Sequence, residues 1–211
     1  MNFLSIDGAL ENIIFFIKID NKTYSNTFQS NKYNYENLSN LLINFLNRRN
    51  VDLNEVENIF VNQGPGNFSG LRTTIALPAG LWNAPTIKIL ARDTFFLAGS
   101  KFFDETFVLL IYRNKESFFV QEFEFNLKTN YLSKIISLNE LKMYNDKKLV
   151  IVNQNLNKKN EFNSLNDFNN LHTTSIDYEN ILFLYNQNLV TKEWSCRWES
   201  VWHCRKKKCH Q

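Results

Sequence analysis

The stretch Gly64-Pro-Gly-Asn-Phe-Ser-Gly-Leu-Arg72 constrains this chain more than any other part of it. The 211 residues hold only six glycines and three prolines, yet Gly64, Gly66, Gly70 and Gly80 lie with Pro65, Pro78 and Pro85 between residues 64 and 85. Glycine accepts positive φ and proline fixes φ at about −65°, so their alternation at 64–66 makes a tight, stiff turn. The apolar run Ile59-Phe60-Val61-Asn62 before it reads as a short buried strand, and residues 68–82 after it as a helix. The free N–H groups of that helix's first turn suit an anion or a partner's carboxylate. A strand-to-helix connection that binds nothing uses the same residues, and on spacing alone it is the favoured reading. A Walker A loop is excluded, because Pro65 stands where its first glycine belongs and Leu71-Arg72 follow Gly70 in place of Lys and Ser/Thr.

A chain that is 44% hydrophobic and 15% aromatic has ample material for a core. The formal charge of +3 misleads about its body. From Thr191 onward there are six Lys/Arg against two Asp/Glu, which leaves 18 basic and 19 acidic residues elsewhere and a body charge of −1. A basic nucleic-acid-binding body is thereby excluded. The same tail holds all three cysteines, three of four tryptophans and two of three histidines. Cys196, His203, Cys204, Cys209 and His210 carry zinc-type atoms at no zinc-type spacing, so no metal site is expected. Residues 191–211 read as an atypical tail outside the folded core, either disordered or from a fused segment, whose deletion should leave the melting temperature nearly unchanged. The amino-terminal residues lack a basic signal-type region and no apolar run approaches the ~18 residues of a membrane span, so a cytoplasmic location is the expectation.

Taken in order, residues 2–7, 12–19 and 23–29 read as three strands in a meander, with Asp7-Gly8 closing the first. Leu38, Leu41, Leu42, Phe45 and Leu46 fall at helical spacing, with Asn34 as N-cap and Arg48-Arg49 at the cation-favouring end, which predicts one helix over 34–48. Thr86–Leu90 is the next strand, and Pro78 should bend the preceding helix or end its regular part. The order βββαβαβ is that of the actin-like, ribonuclease H-like α/β fold. Beyond it, a helical segment over 93–103 leads to strands at 106–112, 117–125, 131–137 and 149–152. A short helix from Asn139, an Asn-rich loop through Asn170 that leaves His172 in a polar surface segment, and a final helix at 177–189 complete the body. The second half repeats the first only in vague outline. The expected organisation is a subdomain over 1–104, a second over 105–190, and the tail.

Asp7 closes the strand where this fold class often carries a metal-binding or phosphate-loop carboxylate. The neighbouring strand ends in Asn62-Gln63 and offers no second carboxylate for a two-metal nuclease, so Asp7 reads first as a local turn former. Asp7-Gly8 remains the one nucleotide-proximal candidate.

With motif and strand order placed, the chain resembles the TsaB (YeaZ) family, companion subunits in bacterial tRNA threonylcarbamoyladenosine synthesis. Asn62-Gln-Gly-Pro-Gly-Asn-Phe-Ser-Gly-Leu-Arg72 is similar to that family's G-[RP]-G-P-G-S-F-T-G-[LV]-R run. Leu4-Ser-Ile-Asp-Gly-Ala9 resembles its opening L-A-I-D-T-S, and Tyr112-Arg-Asn-Lys-Glu-Ser-Phe-Phe119 its D-A-R-x-x-E-V-Y. The matches cover roughly residues 1–125, with differences at Gly8-Ala9, at Pro78 and in the tail. The resemblance implies an actin-like (ASKHA) fold of two related subdomains with mixed central sheets. It also implies a non-catalytic scaffold that pairs with a TsaD-like catalytic subunit, which transfers a threonylcarbamoyl group to N6 of adenosine 37 in ANN-decoding tRNAs. The histidine pair that binds metal in TsaD has no counterpart in residues 33–47.

On this reading the isolated chain has no catalytic residue and no cofactor of its own, and ATP or ADP belongs to the partner interface. A TsaE-like ATPase, tRNA through the complex, and a homodimer when the chain is alone complete the expected partners, and no membrane is involved. The interface is assigned to Leu38, Leu41, Leu42, Phe45, Phe68, Leu71, Arg72 and Ile75, with Tyr35, Leu81 and Trp82 adding apolar surface, and the motif loop to Gly64, Pro65, Gly66, Asn67, Ser69 and Gly70. Glutamate at Leu41 and Ile75 should abolish pairing and leave the monomer folded. The alternatives are an actin-like kinase or ATPase using Asp7-Gly8 on phosphate, and a peptidase homologue of the M22 type.

Overall fold

The computed structural model describes residues 1–81, 87–114, 117–129, 132–152 and 170–186. Trp82, Pro85 and the whole tail lie outside the described residues, as do the side chains of Leu81, Leu182 and Tyr185. Strands β1 (Phe3–Asp7), β2 (Asn12–Ile19) and β3 (Lys22–Gln29) form an antiparallel meander, and β4 (Asn58–Asn62) and β5 (Lys88–Arg92) add in parallel beyond β1. The five-stranded order is β3-β2-β1-β4-β5. Every residue of β1 and of β4 is buried, as a central strand covered on both faces requires.

The second sheet holds β6 (Phe107–Asn114), β7 (Ser117–Phe123), β8 (Lys134–Ser137), β9 (Leu149–Val152) and β10 (Leu171–Thr174), in the order β10-β9-β6-β7-β8. It is again a meander with two parallel strands added beyond its first strand. The vague repeat read from sequence is therefore a full topological repeat, and its last strand is the segment holding His172, which is an exposed strand residue. The polar sequence Leu-His-Thr-Thr hides that strand because β10 is a sheet edge with only Thr174 buried. Two mixed sheets of one topology, with helices against them, make this an α/β fold of two subdomains in the actin-like arrangement.

Strand alternation sends each residue set to a different core. Leu4 and Ile6 of β1 face a cluster beneath α2 (Leu38–Asn47), while Phe3 joins Phe60, Leu109, Ile111 and Val150 in a cluster shared by both halves. Helix α4 (Thr94–Gly99) and α5 (Ile181–Asn186) place Phe95, Leu97, Ala98, Ile181 and Leu184 in that shared core. A third cluster, with Tyr144 at its centre, lies on the far face of the second sheet.

The single helix expected over 34–48 is two helices. Helix α1 (Lys32–Glu36) is capped by Asn31, whose Oδ1 accepts the Asn34 N–H at 2.8 Å. Asn37 interrupts the run, donating both its N–H and its Nδ2 to the Tyr33 carbonyl, and α2 starts afresh. Asn34 is not the cap, because its Nδ2 is tied to the Gln29 carbonyl at the end of β3. Helix α3 (Phe68–Leu81) continues past Pro78 to Leu81. The strand expected at 86–90 runs over Lys88–Arg92, and the helix at 93–103 is α4 with Asp93 as N-cap followed by a 3-10 turn at Ser100–Phe102.

Candidate functional site

The geometry of the motif loop is decided by what lies against its glycines. Gly64 adopts φ +89°, a region that a side chain disfavours. A Cβ on Gly66 would stand 1.9 Å from the Ala9 carbonyl oxygen, and one on Gly70 would stand 1.9 Å from the Gly8 oxygen. Both are backbone atoms and cannot swing aside. The loop and the first turn of α3 thus press directly on the β1–β2 turn, and the Asn67 N–H donates to the Ala9 carbonyl at 2.5 Å.

The helix N-terminus is not open to an anion. Asn67 Oδ1 accepts the N–H groups of Ser69 and Gly70 at 3.1 and 3.2 Å, so the chain caps α3 itself. Of the two readings of this end, the self-cap fits the connection that binds nothing.

Asp7 is 1% exposed at the carboxyl end of β1. Its Oδ1 accepts the Ala9 N–H at 2.7 Å, while its Oδ2 accepts from Asn62 Nδ2 at 3.0 Å and from the Tyr178 hydroxyl at 2.9 Å. The local turn bond was legible in the sequence, and the two long-range bonds were not. Burial pushes the Asp7 carboxyl above its ordinary range, with the donors from Ala9, Asn62 and Tyr178 pulling part of the way back. Burial also pushes the Tyr178 phenol well up, helped by the neighbouring carboxylate.

Asn62 carries the network onward. Its Oδ1 accepts the Gly64 N–H at 2.9 Å and faces Thr94 Oγ1 at 2.9 Å, and the same hydroxyl lies 2.8 Å from the Pro65 carbonyl. One hydroxyl proton serves two acceptors there. Thr94 also donates its N–H to the Gly64 carbonyl at 2.8 Å. A buried polar chain therefore links the carboxyl-terminal segment at Tyr178, the ends of β1 and β4, the motif loop and the start of α4. Tyr178 sits in the 3-10 turn Tyr178–Asn180 with its ring stacked 6.1 Å from Phe16. Tyr178 and Thr94 carry no motif, and no sequence signal marks them.

The interface residues expected from sequence divide. Leu38, Leu42 and Phe45 are 2 to 3% exposed and pack against the first sheet, so they are core and not docking surface. Their i, i+4, i+7 stripe is the one that the sheet itself covers. Leu41, Leu71 and Ile75 are half-buried, with Leu41 and Ile75 against the same core, which makes a glutamate there a threat to the monomer. Phe68 is 61% exposed, and the exposed Arg72 guanidinium lies 5.4 Å from its ring centre. On α1 and α2 the exposed apolar residues that sequence reasoning missed are Tyr33 at 72% and Ile43 at 53%. An isoleucine off the buried stripe of an amphipathic helix is the signal that would have found Ile43.

Arg92, half-buried at the end of β5, lies with its guanidinium carbon 3.6 Å from the Phe96 ring centre. Among the described residues no cluster of three or more His, Cys, Asp or Glu could hold a metal ion, and no helix is long and apolar enough to cross a membrane.

No family model and no curated protein matches the sequence. Among solved structures the chain is similar to an uncharacterized protein from Pseudomonas aeruginosa described as similar to peptidase YeaZ. That match has a TM-score of 0.65 and 15% identity, over 89% of this chain and 91% of the other. It is also similar to YeaZ from the same organism, with a TM-score of 0.52 and 18% identity over 64% of this chain and 67% of that one. Both similarities come with little sequence in common, and the fold of this chain is YeaZ-like.

Proposed function

We propose that this protein is a non-catalytic companion subunit for a TsaD-like enzyme, required for threonylcarbamoyl transfer to N6 of adenosine 37 in tRNAs reading ANN codons. The observation that carries the proposal is the enclosure of Asp7. An actin-like ATPase needs a carboxylate and a turn backbone open to phosphate and metal at this strand end. Here both oxygens of Asp7 are engaged by Ala9, Asn62 and Tyr178, and the turn is filled by Gly66 and Asn67. The YeaZ-like fold and the motif run at 62–72 support the same reading. Partner contact falls to the exposed apolar side chains Tyr33, Ile43 and Phe68 on α1, α2 and α3, of which α2 and α3 are neighbours. ATP or ADP, a TsaE-like ATPase and tRNA enter at the level of the complex, in the cytoplasm.

The test is co-purification with the TsaD-like protein of the same organism, followed by transfer to an ANN-decoding tRNA with and without this chain. Transfer that proceeds at full rate without the chain, or absence of a complex, overturns the reading. Calorimetry of the isolated chain with ATP and Mg²⁺ separates it from the kinase alternative: tight binding with turnover would establish an enzyme.

A further inference from the structure

The carboxyl ends of the parallel strands in both sheets open onto one cleft of about 440 Å³. The turn after β1 contributes Ala9 and Leu10, the loop after β4 contributes Gly66 and Asn67, and β6 and β9 contribute Ile111 and Val152. In open α/β sheets this is where ligands sit, and the volume lies within the range of small-molecule sites.

Its floor is apolar by register. Val152 pairs with Ile111, and Ile111 pairs with Phe119, so three side chains from adjacent strands form one row on the same face. Leu10 lines the same cleft. The polar atoms at the mouth restrict what the row can receive. The Ala9 N–H is taken by Asp7, the Ala9 carbonyl by Asn67, and the first N–H groups of α3 by Asn67 Oδ1. No backbone cradle for a phosphate is left among them.

Two donors remain. Arg113 donates one N–H to Ser117 Oγ at 3.3 Å, and its guanidinium carbon lies 6.0 Å from the Phe119 ring centre, above one end of the floor. Asn67 has its Oδ1 engaged on the helix, which leaves its Nδ2 as the polar atom it can offer to the cleft. Glu11 lines the same mouth. One guanidinium and one amide donor over an apolar row suit one delocalised negative charge on a compact apolar body.

We propose that this cleft binds a small apolar monocarboxylate, a branched aliphatic or phenyl-substituted acid, with its carboxylate on Arg113 and Asn67 and its body on the half-buried Phe119 and Leu10, over the buried Ile111 and Val152. The site stands apart from the companion-subunit reading and survives that reading's failure.

The test is NMR titration of the isotope-labelled full chain with 3-phenylpropionate and 4-methylpentanoate, with their neutral amides, and with phenyl phosphate. The acids bind with Kd on the order of 1 mM and shift the Val152 methyl and Phe119 ring signals. The amides bind about tenfold more weakly, since they lose the charge-assisted bond. Arg113→Gln, at an exposed position, weakens the acids by about tenfold and removes their advantage over the amides. Equal affinity of acid and amide, an unchanged Kd in Arg113→Gln, shifts confined to other residues, tighter binding of phenyl phosphate, or no saturation by roughly 20 mM each overturns the proposal.

Discussion

Tyr178→Phe removes a single oxygen from the centre of the polar chain. The ring remains 6.1 Å from Phe16 and in the shared core, so the packing contribution of the side chain is kept. What is lost is one of two donors to Asp7 Oδ2, in a place where the carboxylate is 1% exposed and water cannot take over. A hydrogen bond to a charged group contributes about 1.5–3 kcal/mol. At about 2–4 °C per kcal/mol for a chain of this size, the melting temperature should drop by about 3–12 °C. The loss should also depend on pH. The folded Asp7 carboxyl titrates above the ordinary 3.8, so the folded state holds its proton longer than the unfolded state. That contribution to stability is full below the unfolded pKa and is lost as pH rises toward the folded value. Removing a donor that favours the carboxylate raises the folded value further, so the window of loss extends upward and the variant's deficit grows with pH. Denaturant unfolding of wild type and variant at acid and neutral pH measures both effects. A variant within about 0.5 kcal/mol of wild type at neutral pH, or a deficit of equal size at both pH values, would refute the reasoning.

Gly66→Ala and Gly70→Ala each set a Cβ 1.9 Å from a backbone oxygen, so each should destabilise by more than about 3 kcal/mol. Gly80→Ala meets nothing within 4 Å in the same helix and should stabilise by about 0.5–1 kcal/mol, as thermal denaturation of the three variants will reveal. Thr94→Val keeps the shape of a buried side chain and removes the hydroxyl facing Asn62 and Pro65; it should cost about 1–3 kcal/mol and speed amide exchange at Gly64. Ile43→Glu with Phe68→Glu alters two exposed positions and should leave stability within about 0.5 kcal/mol while abolishing co-elution with the proposed TsaD-like partner on a sizing column. Leu42→Glu buries an unpaired charge in the core and should unfold the chain, which circular dichroism distinguishes from loss of pairing.

The elements that sequence alone determined are those whose signal is local. β1, β2, β4 and β9 follow from apolar runs of β-branched and aromatic residues, β3 from its β-branched and aromatic content after an Asn-containing turn, and the turn at 64–66 from the only dense cluster of glycine and proline in the chain. The Asp7–Ala9 bond and the helix opening at Phe68 follow from the same kind of information. The repeat of one topology in both halves showed only in vague outline, because a repeat of strand order needs no repeat of residues, and β10, with one buried position, has almost no hydrophobic period to read. The break at Asn37 was hidden because the apolar spacing on either side of it continues in phase.

Tertiary structure alone decided which face of α2 is covered. Leu38, Leu42 and Phe45 have the same spacing whether the first sheet or a second protein buries them, and the sheet does. It alone joined Tyr178 to Asp7 across 171 residues, a contact that no periodicity encodes and that gives a strand-end carboxylate a buried structural role. It also gave Gly66 and Gly70 their reason: not the freedom of their own backbone but the carbonyl oxygens of Ala9 and Gly8, which the fold brings to where a side chain would stand.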